Sequence, residues 1–155
     1  MESLYQDLVM EHNLHPLNFR KMDDSSSSAD GFNPFCGDTV KVYLKVEDQN
    51  IKGTNEVESV IVNVSFEGSG CAISKSSASM MTEVIMGKTI KEAQDIIGQF
   101  NKAMTENIDG EPVDLPGDLG ALCGVSRYPA RVKCAVLSWH TLRSAITGGE
   151  SITTE

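Results

Sequence analysis

The segment from Thr39 to Glu47 alternates strictly between apolar and other side chains. A period of two is typical of a β-strand with one buried face. A second segment of this kind, Val57 to Phe66, follows a predicted turn at residues 48–50. Two such strands joined by a short polar link indicate an antiparallel sheet that is covered on one face. We expect a short third strand near Ile51 and Lys52. The predicted buried face of the second strand carries Val60, Val62, Val64 and Phe66.

Four further segments carry apolar side chains at intervals of three and four residues, the period of an amphipathic helix. Capping signals mark several of their ends. Thr89 and Glu92 have the spacing of a capping box, Pro129 suits a first helical turn, and Gly87 suits a helix end. The predicted helices cover residues 3–13, 72–85, 90–104 and 129–146.

The remaining segments are rich in turn-forming residues. Residues 23–31 combine serines, aspartates and a glycine, so we expect a mobile loop there. Residues 106–116 form a second predicted loop, and a short helical piece follows over residues 118–123.

The order of one helix, then strands, then helices predicts an α+β fold, a small antiparallel β-sheet with helices packed on one face. A chain of 155 residues suits one domain, which we predict over residues 1–147. Residues 148–155 are predicted to form a disordered tail after a pair of glycines.

The chain carries a formal net charge of −9 at pH 7. An acidic surface repels nucleic acid backbones and anionic membrane surfaces, so neither is an expected partner. No apolar run is long enough to cross a membrane, and the first residues, with Glu2 and Asp7, do not resemble a signal peptide. We therefore expect a cytoplasmic protein with reduced thiols, whose four cysteines are ligands, reactive thiols or core residues rather than disulfides.

Cys36 and Asp38 flank a glycine in the stretch Asn33-Pro34-Phe35-Cys36-Gly37-Asp38. Positions i and i+2 of an extended segment point to the same side, so a thiolate and a carboxylate could share one cation there. Zinc accepts both types of ligand. A turn with a buried cysteine, in which Asp38 caps its own backbone, explains the same residues equally well.

The other cysteines give weaker signals. Cys71 follows Gly70 at a predicted helix start, where free N–H groups stabilise a thiolate, although a plain buried cysteine is the alternative. Cys134 lies beside the apolar stripe of the last helix and Cys123 precedes a glycine, so each taken alone is interpreted as a packing residue. The histidines have no partner at metal-ligand spacing, and no catalytic triad, Walker loop or dinucleotide-binding fingerprint occurs.

Three motifs follow one another in a specific order. They are Asn33-Pro34-Phe35-Cys36-Gly37-Asp38, Gly68-Ser69-Gly70-Cys71-Ala72-Ile73-Ser74, and Pro129-Ala130-Arg131-Val132-Lys133-Cys134 with Trp139 after it. In this order they resemble the IscU/NifU-N family of iron–sulfur cluster assembly proteins, from the first helix to about Ile146. The segment between Cys71 and Cys134 is long and contains an insertion over residues 106–124, as in the SufU branch of that family. Lys133 favours the same branch, because scaffold-type IscU proteins carry a histidine ligand at that position.

The resemblance implies a Zn²⁺ site formed by Cys36, Asp38, Cys71 and Cys134. It also implies that Cys36 is the catalytic residue of a sulfurtransferase and accepts persulfide sulfur from a cysteine desulfurase of the SufS type. Downstream iron–sulfur assembly proteins would be further partners. Arg131 matches a basic residue of the branch and is expected to support the catalytic site or the docking surface.

Two other functions stay open on the sequence. The same donors could hold a transient [2Fe-2S] cluster, which would make the protein a scaffold for cluster assembly and transfer. A structural zinc module whose cysteines never carry sulfur is the third hypothesis. Lys133 and the insertion favour the sulfurtransferase, and the glycine-flanked cysteines argue against a closed structural site. Cys123 in the insertion and the serine-rich loop before Phe32 both depart from the family pattern.

Overall fold

A computed structural model describes residues 3–148 and 152–153 of the chain. The helices are α1 (Ser3–Leu14), α2 (Ala72–Ile85), α3 (Ile90–Thr105) and α4 (Pro129–Thr147), and a 3-10 helix covers Leu119–Arg127. The strands are β1 (Ser27–Asn33), β2 (Asp38–Asn50), β3 (Val57–Ser69) and β4 (Ile152–Thr153).

The described strands form one sheet in the order β3-β2-β1-β4. The first three are antiparallel neighbours, and the short β4 runs parallel to β1. Helices α2 and α4 pack against this sheet. Trp139 of α4 joins the helices, because its ring stacks on Phe100 of α3 at a centroid distance of 4.6 Å and its Nε1–H donates to Ser77 of α2. The predicted α+β fold is confirmed.

Strand β1 is the largest departure from the sequence prediction, which assigned residues 23–31 to a mobile loop. It pairs with β2 along its whole length. Its buried positions are Ala29, Gly31 and Asn33. A Cβ atom at Gly31 would lie 2.0 Å from Oγ1 of Thr141 on α4, so small residues let this helix approach the sheet closely. A strand built for close approach carries little apolar surface, and its sequence therefore resembles a loop.

Strands β2 and β3 confirm the two strands predicted from alternation, and both are longer than predicted. Residues 48–50 belong to β2, and the turn begins at Ile51, whose N–H bonds to the carbonyl of Glu56 at 2.9 Å. The predicted turn at 48–50 and the predicted strand at Ile51 and Lys52 are therefore wrong. Exposed ends of a hairpin need no apolar residues, so this part of the strand gives no hydrophobic signal.

A β-bulge in β3 changes which residues face the core. Lys45 lies opposite Asn63, whereas Val46 lies opposite Ile61, so Val62 has no partner on β2. Ile61 is fully buried and Val62 is half-buried, although the alternation placed Val62 on the buried face. One extra residue in a strand reverses the alternation beyond it.

The four predicted helices are confirmed to within one residue at each end. Helix α3 begins with the predicted capping box, in which Thr89 Oγ1 accepts the Glu92 N–H at 3.1 Å and Glu92 accepts the Thr89 N–H at 3.0 Å. The helical piece predicted over residues 118–123 is a longer 3-10 helix. Within the described residues, no helix is both long enough and apolar enough to cross a membrane.

Helix α4 ends before Gly148, as predicted. Beyond it, Ile152 and Thr153 pair with Gly31 and Phe32 of β1, so these two residues differ from the disordered tail predicted over 148–155. The open edge of β1 offers backbone donors and acceptors for this pairing. The other positions of that predicted tail, 149–151 and 154–155, lie outside the described residues.

Candidate metal centre

The turn between β1 and β2 holds the first two candidate ligands. Asn33 and Asp38 form the last pair of the ladder, and the Gly37 N–H bonds to the carbonyl of Asn33 at 2.9 Å. Gly37 has φ of 72°, which glycine adopts without strain. Cys36 is exposed in this turn, whereas Asp38 is fully buried. A turn, rather than the extended segment predicted from the sequence, brings the two side chains together.

Helix α4 brings a third candidate ligand to the same point. Cys134 is fully buried, and its Sγ lies 3.4 Å from Sγ of Cys36. The ligand atoms of Cys36, Asp38 and Cys134, which we call the ligand cluster, all lie within 4.8 Å of one another. Two sulfurs bound to one tetrahedral zinc ion at about 2.3 Å would be about 3.8 Å apart. The donors and the spacing of the ligand cluster therefore fit zinc.

Hydrogen bonds hold the Asp38 carboxylate on both sides. Its Oδ1 accepts the backbone N–H of Cys71 at 2.9 Å, and its Oδ2 accepts Nδ2–H of Asn33 at 3.1 Å. A Cβ atom at Gly70 would lie only 2.4 Å from Oδ1. The absence of a side chain at Gly70 thus leaves the space that the carboxylate occupies.

Cys71 caps the N-terminus of α2, where its Sγ accepts the N–H of Ser74 at 3.5 Å. The residue therefore lies at the helix start that the sequence predicted. Its side chain is half-buried, and its sulfur lies outside the group of atoms that share the 4.8 Å spacing. Because the Cys71 backbone N–H binds Asp38, the residue adjoins the ligand cluster.

Burial raises the pKa of the Cys134 thiol well above its ordinary range. Hydrogen bonds with Asp38 and Cys36, and the neighbouring Cys71, raise this pKa further. The geometry agrees, because the Cys134 thiol donates to Cys36 Sγ. A cation that binds here must release this proton, as thiolate ligation generally requires.

Asn33 organises the turn and two candidate ligands, a role that sequence reasoning missed. The side chain is fully buried, and Nδ2–H donates to Asp38 Oδ2 at 3.1 Å and to Cys134 Sγ at 3.5 Å. Its Oδ1 accepts the backbone N–H of Phe35 at 3.2 Å. The position directly before Pro34 was the available signal, since asparagine side chains often bond to nearby backbone in turns.

Three other residues singled out from the sequence do not belong to the ligand cluster. The Lys133 Nζ lies 5.4 Å from the ring centroid of Phe35, beside the turn that carries Cys36. The exposed Arg131 lines a groove and makes no side-chain hydrogen bond to a candidate ligand within residues 3–148. Cys123 is 2% exposed in the 3-10 helix, outside the ligand cluster, which agrees with its interpretation as a packing residue.

His12 belongs to a second group of potential ligands, with Glu83 and Asp118, although the sequence showed no partner for it. Both ring nitrogens already have partners, Ser79 Oγ at 2.7 Å and Asp118 Oδ2 at 2.9 Å. Ser79 Oγ also accepts the N–H of Leu17, which leaves its hydroxyl proton for His12 Nδ1. The hydrogen bonds of this network are satisfied without a cation, so we interpret it as a structural contact between α1, α2 and the 3-10 helix.

Residues 4–153 match the family model of the NifU-like N terminal domain. The chain belongs to this family. It is similar to the zinc-dependent sulfurtransferase SufU of Bacillus subtilis, with 37% identity over 150 residues that cover 97% of this chain and 94% of the relative. It is also similar to the iron–sulfur cluster assembly scaffold protein IscU of Thermotoga maritima, with 34% identity over 145 residues and 92% of each chain.

Solved structures of family members share the fold. A crystal structure from Fervidobacterium islandicum, named as an iron–sulfur cluster assembly scaffold protein for the SUF system, has a TM-score of 0.72 and 32% identity. It covers 90% of this chain and 94% of that protein. The N-terminal domain of a NifU-like protein from Brucella abortus has a TM-score of 0.71 and 21% identity over 92% of each chain, a likeness in fold alone. The predicted family is confirmed, and the names of its members include both sulfurtransferase and scaffold.

Proposed function

We propose that this protein is a zinc-dependent sulfurtransferase of iron–sulfur cluster assembly, which accepts persulfide sulfur on Cys36 from a cysteine desulfurase of the SufS type. Its similarity to SufU of Bacillus subtilis supports this class of reaction. The proposed zinc ligands are Cys36, Asp38, Cys71 and Cys134, and the sulfur passes on to downstream iron–sulfur assembly proteins. Free thiols require a reducing compartment, for which we propose the cytoplasm.

The exposure of Cys36 is the observation that carries this proposal. Asp38 and Cys134 are fully buried and Cys71 is half-buried, whereas Cys36 lies exposed in its turn. A persulfide held on another protein can therefore reach Cys36 first among the four proposed ligands. A site that only stabilised the fold would gain nothing from one exposed thiol.

The proposed transfer is a thiol–disulfide type exchange. The Cys36 thiolate attacks the terminal sulfur of the donor persulfide, a new S–S bond forms on Cys36, and the S–S bond of the donor breaks. The donor cysteine leaves as a thiolate. One S–S bond replaces another, so the transfer needs no external oxidant. A thiol of the next protein in the pathway releases the sulfur from Cys36 by the same exchange.

Zinc bound by the four ligands would keep their thiols deprotonated at neutral pH. Side chains of the protein hold and surround these ligands. Asn33 fixes Asp38 and the backbone of the turn, while Lys133 lies over Phe35 next to Cys36. Arg131, proposed as a catalytic residue, lies in a groove wall and would act by contacting the docked donor protein.

A scaffold for [2Fe-2S] clusters is the alternative function. The similarity to IscU of Thermotoga maritima favours it, as do the two thiols and one carboxylate of the ligand cluster, with Cys71 adjacent to them. Lys133 argues against it, because a charged lysine cannot serve as a metal ligand.

Mass spectrometry of the zinc-loaded protein tests the proposal. The protein is incubated with a SufS-type desulfurase and cysteine, and its peptides are then searched for one added sulfur atom. We expect this sulfur on Cys36 and none in the Cys36→Ala variant. A stable cluster chromophore after addition of iron, with no sulfur retained on Cys36 before it, would favour the scaffold.

A further inference from the structure

A groove of about 590 Å³ opens beside the ligand cluster. Its walls come from α1, the start of α2, the loop before the 3-10 helix, the 3-10 helix itself and the first turn of α4. Arg131 in one wall precedes Cys134 by three positions on α4, and Ile73 in another wall follows Cys71 by two. Residues three apart on a helix are neighbours, so the groove adjoins the ligand cluster.

The loop that forms one wall is held in place by hydrogen bonds. The Asn107 side chain bonds to both backbone groups of Glu111, at 2.7 and 3.1 Å. Ser126 Oγ donates to the carbonyl of Asn107, and Arg127 Nε donates to the carbonyl of Asp109 at 2.6 Å. These bonds tie the loop to the 3-10 helix, so the groove is formed before a partner arrives.

The groove is a positive region on an acidic protein. Arg127 and Arg131 line it, and no aspartate or glutamate of the described residues does. The Arg131 side chain has no ion pair or hydrogen bond within residues 3–148, and Arg127 bonds only to the Asp109 carbonyl. The net charge of the chain is −9. Guanidinium groups without a carboxylate partner favour carboxylates from outside, which they bind with two parallel hydrogen bonds.

Aromatic and apolar side chains complete the groove. They include Tyr5 of α1, Pro112 of the loop and Tyr128, which is 59% exposed at the start of α4. Exposed tyrosines beside arginines are typical of the centres of protein contact surfaces. The groove is partly open to solvent, which suits a chain segment of a partner better than an enclosed small molecule.

We propose that this groove docks an acidic, extended segment of the sulfur-donating enzyme. Its carboxylates pair with Arg127 and Arg131, and an apolar side chain packs between Tyr5 and Tyr128. The inference rests on the proposed function, because that enzyme must bring its persulfide to Cys36 beside the groove. Charge complementarity identifies the occupant, since an acidic segment is repelled by the net charge of the chain and attracted by this pair of arginines.

Calorimetric titration of a SufS-type desulfurase into the zinc-loaded, full-length protein tests the proposal without sulfur chemistry. Arg127→Glu should weaken binding by about tenfold or more, whereas Arg127→Lys, which keeps the charge but loses the two parallel hydrogen bonds, should weaken it by less than Arg127→Glu does. Arg143→Glu is the matched control, because it makes the same change of charge at an exposed position of α4 outside the groove. Zinc content and the thermal midpoint show whether each variant is folded.

The outcomes separate this inference from the proposed function. Equal affinity of Arg127→Glu and Arg143→Glu would overturn the docking proposal, even if Cys36 still accepts sulfur. Arg127-dependent binding without any sulfur on Cys36 would overturn the sulfurtransferase and support the docking surface. Two other results would also count against the groove as the docking site. One is failure of the unmodified protein to bind the desulfurase. The other is that free citrate displaces the desulfurase from the unmodified protein and from the Arg127→Glu variant alike.

Discussion

The side-chain amide of Asn33 donates a hydrogen bond to the buried carboxylate of Asp38, at a distance of 3.1 Å. The same amide nitrogen lies 3.5 Å from Sγ of Cys134, and the amide oxygen accepts the backbone N–H of Phe35. One buried side chain that is not itself a ligand thus sets the positions of two candidate ligands and of the turn that carries Cys36.

Replacement of Asn33 by alanine should weaken zinc binding about 10- to 100-fold, the usual effect of removing a residue that orients metal ligands. Competition with a chromophoric chelator measures the affinity. Asn50→Ala, at the exposed end of β2, is the matched control and should bind zinc normally. Indistinguishable affinities of the two variants would show that Asn33 does not orient the ligands.

Gly70→Ala tests the close approach of Asp38. The added Cβ would lie 2.4 Å from Oδ1, so the carboxylate must move and zinc affinity should fall about tenfold or more. Gly98→Ala is the control, because a Cβ there meets nothing within 4 Å on the exposed side of α3. Alanine is the better helix former, so this control should be more stable by about 0.5–1 kcal/mol. Normal zinc affinity of Gly70→Ala would contradict the observed packing.

His12→Ala should lower the free energy of unfolding by about 2 kcal/mol, because the buried hydroxyl proton of Ser79 loses its acceptor and Asp118 loses a hydrogen-bond donor. Urea unfolding gives the value. His15→Ala removes an exposed imidazole three residues along and should change stability little. Equal effects of the two substitutions would mean that the His12 network does not hold α1 in place.

Tyr43 should make stability fall with rising pH in the alkaline range. Its hydrogen bond to Glu67, followed by burial, raises the pKa of Tyr43 to about 12, whereas the unfolded value is about 10. The unfolded chain loses this proton first, so the contribution is complete below about pH 10 and is lost as the pH rises towards 12. Unfolding at several alkaline pH values should show a shallower decline for Tyr43→Phe than for Tyr128→Phe. Parallel curves would contradict this assignment.

Helix positions followed from the sequence because their signals are local. The Thr89–Glu92 capping box and the apolar period of α3 act within one or two turns, and the structure forms them as predicted. Strand β1 gave no such signal, since pairing with β2 and contact with α4 stabilise it instead of apolar side chains of its own. The bulge at Val62 could not be predicted from the sequence either, because the register of a strand depends on its partner strand.

Some residues of the candidate site were likewise predicted from the sequence, and others were not. Cys36 and Asp38 were chosen from their spacing, and the structure brings both together with Cys134 in the ligand cluster. The sulfur of Cys71 is adjacent but outside it. Asn33 and His12 were not recognised as part of any site. Asn33 contacts Cys134 and His12 contacts Asp118, and both partners lie far along the chain, so spacing in the sequence does not indicate these contacts.

Multiple-turnover kinetics of a SufS-type desulfurase show whether Cys36 is the sulfur acceptor. Alanine release from cysteine is followed with a reductant, without iron, in the presence of the zinc-loaded protein. We expect clear stimulation that disappears with Cys36→Ala and persists with Cys123→Ala, whose buried sulfur lies outside the ligand cluster. Stimulation that survives in Cys36→Ala, or no stimulation by the unmodified protein, would contradict the assignment of Cys36 as the sulfur acceptor.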